Sequence, residues 1–190
     1  ISTFTRLTFD RDSFNENRFL VTWLPLIVLA GVFGLCLMFG GWILTTIYLY
    51  WQWWHYTRQS YGVSRIYQRK GRLNNDLLSK LVIYAVPVWG ILHRSFQSPQ
   101  QFLFTDVKVL PVPVWLVGAV GLAAIVVLAW WLAQTVKWLV QGTLPIAHTF
   151  YVCSHLFIFG IGYLAIEDIN HGWLVLTVWH NCQYILTVWM

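Results

Sequence analysis

Polar and charged residues are confined to a few short stretches of the chain. Between them the sequence stays apolar for about 20 residues at a time, the length that crosses a bilayer core as a helix. After eighteen polar residues, ISTFTRLTFDRDSFNENR, an apolar run extends from about Phe19 to Phe39, and Gly40 and Gly41 interrupt it. One helix from Phe19 to Tyr67 would be about 70 Å long at about 1.5 Å per residue. The glycine pair therefore predicts a tight hairpin into a second span over 42–61. The polar link YQRKGRLNND leads to a third span over 77–96, capped by Asn75 or Asp76 and kinked at Pro87. Prolines 99, 111 and 113 make the next segment, SPQQFLFTDVKVLPVP, an irregular loop.

Further apolar runs place spans at 114–139, 145–166 and 172–190. The expected fold is an all-α, polytopic integral membrane bundle of about six helices, a single domain over 19–190 preceded by a short segment, 1–18. Gly31, Gly34, Gly118 and Gly121 suit close helix packing in lipid.

Composition narrows the choice of solvent. The chain is 58% hydrophobic and only 10% charged, against about 25% charged in an ordinary soluble domain, and its mean hydropathy is +0.60. Under a six-span topology only Arg94 and Lys108 fall on one side and the other ten of the 12 Lys and Arg on the other. The positive-inside rule then places the N-terminus in the cytoplasm, the topology of a bacterial inner-membrane protein. The net charge of +5 reads as topology and as attraction to anionic lipid headgroups, so no nucleic-acid partner is expected. The basic, tyrosine-rich stretch 55–72 is juxtamembrane for the same reason. The eighteen leading residues lack the apolar core of a signal peptide, and the Ile start and apolar end read as a piece of a longer chain.

The 13 tryptophans gather near span ends, as at Trp51, Trp53, Trp54, Trp130, Trp131 and Trp173. That fits interfacial belts, with a carotenoid or quinone groove as the sharper alternative. Cys36, Cys153 and Cys182 lie in apolar segments and read as packing residues rather than a disulfide framework.

Ionisable groups inside a bilayer are costly, so each asks for a partner or a purpose. His55, His148, His155 and His180 fall within spans two, five and six. Helix rise puts His155 level with His180, and His55 level with His148. Gln52, His55 and Gln59 form one polar stripe, and Thr177, His180, Gln183 and Tyr184 another. Neutral imidazole is the commonest metal ligand, so these four histidines are the candidate ligands of a transition metal, iron foremost, or of haem. Gln59, Asn181, Gln183 and Tyr184 would orient them.

Arg58, one turn from His55, is a candidate for neutralising an anionic substrate group, and Tyr184 joins it as a catalytic candidate. The expected function is a membrane redox protein, a histidine-ligated, metal-dependent oxygenase acting on a lipophilic substrate. The alternative is a non-catalytic subunit that packs within a larger membrane complex or holds haem or pigment. A third reading has the histidines and amides only joining helices. Glu167, Asp168 and His171 form a solvated turn in which Glu167 pairs with His171, and His93 with Arg94 anchors a helix at the outer interface.

Overall fold

The structure, a computed structural model, describes residues 9–71 and 77–189. The expected Asn75 or Asp76 cap lies outside them. The described residues are all-α apart from one two-residue-per-strand hairpin, and the chain divides into two compact units, 1–44 and 45–190.

In the first unit, α1 (Arg11–Glu16) is capped by Asp10, whose carboxylate accepts the Ser13 backbone N–H at 3.3 Å. A π turn, Phe19–Trp23, runs into α2 (Leu24–Phe39), where Pro25 takes a first-turn position that needs no N–H. α2 is apolar all round and none of its residues is buried, the combination expected where lipid and not protein covers the surface. It stops at Gly40, whose φ of 86° is a conformation that glycine adopts without steric cost.

The second unit starts within α3 (Gly41–Lys70), an unbroken helix of 30 residues that passes through the expected boundary at residue 61. It continues with α4 (Leu77–Gln97), α5 (Val114–Val140), α6 (Ile146–Gly160) with its π turn Ile161–Ala165, and α7 (Ile169–Trp189). The loop expected to be irregular contains an antiparallel hairpin, β1 (Gln101–Phe102) and β2 (Thr105–Asp106). Its turn residues Leu103 and Phe104 have φ of 50° and 61°. That is a tight reversal usually given to Gly or Asn, and neither occurs there, so the sequence conceals it. Leu103 N–H donates to Asn170 Oδ1 at 2.8 Å, which holds the turn.

Three apolar clusters join these helices. Tyr56, Val86, Phe159, Tyr163 and Leu176 unite α3, α4, α6 and α7; Leu78, Val82, Ile83, Trp131 and Val152 unite α4, α5 and α6; and Leu49, Phe102, Val107 and Ile169 seat the hairpin. Trp131, expected in an interfacial belt, is 1% exposed in the second cluster. Cys153 and Cys182, expected to pack, are exposed.

Among the described residues, four helical segments are long and apolar enough to cross a membrane: Phe19–Phe39, Leu77–Gln97, Val114–Val140 and Ile146–Ala165. Two of the six expected spans, within α3 and α7, are not among them. The cause is compositional, because hydropathy indices count Trp and Tyr as weakly polar and these helices also carry Gln52, His55, His171, His180 and Gln183.

Close helix packing falls on glycines other than most of those expected. A Cβ added at Gly31, Gly34 or Gly118 would meet nothing within 4 Å, whereas one at Gly90 would lie 2.5 Å from Tyr163 Cβ and one at Gly172 only 2.1 Å from the Gly162 carbonyl oxygen. Backbone cannot retreat as a flexible side chain does. Gly172→Ala is expected to cost about 1–3 kcal/mol, seen as a lower unfolding temperature in detergent, while Gly118→Ala leaves that temperature unchanged.

Candidate functional site

Polar side chains run down the buried side of α3 at Tyr56, Thr57, Ser60, Ser64 and Gln68, the three-to-four-residue spacing of one helix face. The face turned inward is thus not the expected stripe of Gln52, His55 and Gln59, since His55 is exposed and both glutamines are half-buried.

At the level of Tyr56, α3 meets α7. The Tyr56 hydroxyl hydrogen-bonds Thr177 Oγ1 at 2.9 Å and accepts from Gln52. The Tyr56 ring lies 4.0 Å from the His180 imidazole, centroid to centroid, and His55 stands edge-on to His180 at 5.2 Å. His180 Nδ1 is sealed from solvent and has no partner among the described residues. His55 therefore shares a level with His180 and not with His148. With α7 starting at Ile169 and α3 at Gly41, earlier than the expected 172 and 42, His180 and His55 differ by only three residues of helical depth, about 4.5 Å.

The other two histidines are engaged elsewhere. His155, fully buried, brings Nε2 to 2.9 Å from the Ile83 carbonyl. Pro87 explains that partner: four residues after Ile83, it has no N–H with which to close the helical bond. His155 Nε2–H takes the vacated place, and its ring rests against Phe159 at 4.2 Å and Trp179 at 5.8 Å. One turn further along, the indole N–H of Trp53 donates to the Pro87 carbonyl at 2.7 Å. His148 lies two turns nearer the start of α6 and reaches Ser64 Oγ at 3.2 Å. Between these levels Gln183 donates to the Tyr151 hydroxyl at 2.8 Å.

Of the four candidate ligands, then, the fold brings His55 and His180 together and leaves His148 and His155 apart from them. Among the described residues no group of three or more His, Cys, Asp and Glu side chains is placed to hold one ion. Arg58 is exposed, its guanidinium 5.8 Å from the Tyr61 ring centre, and Tyr184 is 42% exposed. The chain matches no family model, no curated protein and no solved structure.

The residue that sequence reasoning misjudged most is Arg94, 2% exposed where an interfacial anchor was expected. Its guanidinium donates through one terminal nitrogen to Glu167 O at 2.6 Å and Gln97 Oε1 at 2.8 Å, and through the other to Gly162 O at 3.0 Å and to Ile166 O. These backbone carbonyls belong to the π turn and the residues that follow it, where helical bonding ends. The available signal was the pair of small residues Gly162 and Gly172, which makes room for such an approach.

Beyond that turn Asp168, not Glu167, is the carboxylate beside His171. Asp168 Oδ1 accepts the backbone N–H groups of His171 at 2.9 Å and Asn170 at 2.8 Å and lies 3.8 Å from the His171 ring. The His171 N–H foremost, aided by Asn170 and by the His171 charge, holds the Asp168 carboxyl below its ordinary range. Because the folded state favours the ionised form, the stabilisation is complete above the ordinary aspartate pKa, about 4, and is lost as pH falls through the lowered value. Asp168→Asn is expected to flatten that acid-side loss in a plot of unfolding temperature against pH. His155→Leu, by contrast, strands the Ile83 carbonyl and is expected to cost about 1–3 kcal/mol at every pH above 7, read by the same thermal measurement.

Proposed function

We propose that this chain is an integral membrane redox protein whose reactive centre is built on the His55–His180 pair. One observation carries the reading. Two imidazoles on one ion, with metal–nitrogen distances of about 2.0–2.1 Å and a near-tetrahedral angle, have ring centres about 5 Å apart, and these two stand at 5.2 Å.

They come from different helices, and Tyr56, held by Thr177 and Gln52, closes one side of His180. A transition metal there, iron by preference, would keep open positions for dioxygen and substrate, the condition for an oxygenase. The exposure of His55 leaves the pair reachable from outside the bundle, as a lipophilic substrate arriving through the bilayer requires. In this reading His148 and His155 support the frame and do not bind the ion.

The proposal takes α3 and α7 as spans in addition to the four apolar ones, giving six, with the N-terminus on the cytoplasmic side of a bacterial inner membrane. The unbroken 30 residues of α3, about 45 Å of helix, supply the length. The ten-to-two distribution of Lys and Arg supplies the orientation.

Metal analysis of the purified protein is the test. Iron, copper or zinc near one equivalent per chain is expected, falling at least about tenfold in His55→Ala and His180→Ala, since each removes a ligand, and unchanged in His155→Ala. Equal metal in all three variants, or none above background in wild type, would overturn the proposal.

A second reading, a non-catalytic subunit of a larger membrane complex, is favoured by the same imidazoles that hold helices together at Ile83 and Ser64. If those bonds are their whole role, the protein carries no metal and no visible chromophore. A Soret or chlorin band would instead identify haem or a pigment.

A further inference from the structure

Away from the histidine pair, the end of α4 and the start of α5 enclose a groove of about 440 Å³, within the range of small-molecule sites. Its walls are apolar apart from two nitrogen-bearing rings, Trp89 and His93. These lie four residues apart on α4, so they occupy one face of that helix, one above the other.

Neither ring finds a hydrogen-bond partner among the described residues. His93 Nδ1 is sealed from solvent, while its Nε2 and the Trp89 indole N–H are not. Other sealed ring nitrogens, among them those of Trp131 and Trp173, lack partners there too; what sets His93 apart is that it lines open space beside a second N–H-bearing ring, Trp89, where a molecule that is not protein could accept from both.

The groove also has a direction. His93 lies one turn from Gln97, where α4 ends, and Trp89 about 6 Å deeper. Leu122 and Ile125, deeper still along α5 from its start at Val114, are both more than half exposed on the side. Its two glycines differ. A Cβ on Gly121 would lie 2.7 Å from the Trp89 ring, so Gly121 allows the indole to lie against α5, whereas one on Gly118 would meet nothing within 4 Å. Gly118 thus leaves space that is not used for packing.

We propose that this groove binds an isoprenoid quinone. The flat ring would sit between Trp89 and Phe96 with a carbonyl accepting from the Trp89 N–H and His93, and the tail would run past Leu122 and Ile125 into lipid. A phospholipid offers ester carbonyls but no flat ring for the aromatic walls. The proposal supplies the redox protein above with a membrane electron carrier, and so rests on that reading for its purpose. It does not require the imidazole pair to bind metal, because the groove is lined by other residues.

The test is equilibrium binding of decylubiquinone to purified, detergent-solubilised protein, with a short-chain phosphatidylcholine as the competing probe. Saturable binding of one quinone per chain is expected, lost in Gly118→Leu, which fills open space without a backbone clash. Loss of one hydrogen bond in His93→Phe is expected to weaken it about two- to tenfold. Gly160→Leu, at another glycine with nothing within 4 Å of its Cβ position, controls for added apolar bulk and should bind as wild type. Equal uptake by the Gly118→Leu and Gly160→Leu proteins would mean partition into detergent and would overturn the proposal. Displacement of quinone by phosphatidylcholine at equal concentration would overturn it too, assigning the groove to a structural lipid. Metal content, measured on the same samples, reports separately on the histidine pair.

Discussion

An unpaired backbone carbonyl inside hydrocarbon costs several kcal/mol, because lipid offers it no donor. Among the described residues, side chains from other helices take carbonyls that helical bonding leaves free at two places. Pro87 in α4 releases the Ile83 carbonyl, which His155 of α6 occupies at 2.9 Å. The π turn after α6 ends in the carbonyls of Ile166 and Glu167, which Arg94 of α4 occupies together with Gly162 O. Both connections join α4 to the segment from Ile146 to Glu167, from opposite ends, and so fix how the two lie against each other. Glycines at 90, 162 and 172 are consequences of that fixing, since the backbone and Tyr163 approach too closely there for a methyl group.

The arrangement sorts the histidines by what surrounds them. A buried imidazole that donates to a freed carbonyl has one nitrogen committed, and its rotation is set by helix packing and not by an ion. His155 is of this kind. His148, paired with the Ser64 hydroxyl, also has one nitrogen engaged between helices. Among the described residues, only where α3 meets α7 do two imidazoles approach each other without a freed carbonyl between them, and there the neighbours are Tyr56, Thr177 and Gln52. The chemistry of the chain, as proposed, belongs to that junction because the rest of the polar seam is occupied in holding the helices together.

How far the sequence disclosed this depends on the kind of signal. Helix existence follows from apolar length and from breakers, so the break at Gly40, the helix start at Val114 and the turn at Gly142 to Pro145 were legible. Which side of a helix turns inward was less so. On α3 the inward line runs through Tyr56, Ser60 and Ser64, weakly polar residues that a search for strongly polar ones passes over in favour of His55 and Gln59. The partners of His155 and Arg94 were illegible for a different reason. Each binds backbone carbonyls, and carbonyls have no sequence identity; only Pro87, read as a kink, marked one of them.

The same distinction separates the middle of α4 from its end. Near its middle, the proline creates an acceptor and two ring N–H groups, from His155 and Trp53, converge on the Ile83 and Pro87 carbonyls. Toward its end, Trp89 and His93 present nitrogen groups where α5 offers only Val, Leu, Ile and Gly in return. Helix packing could have covered that face with a larger residue than Gly118, and the open space there permits one. His93 Nδ1 is one of several sealed ring nitrogens without a partner among the described residues, with those of Trp131 and Trp173, but it borders open space. An unpaired polar group beside open space is where a bound molecule completes what the protein leaves open.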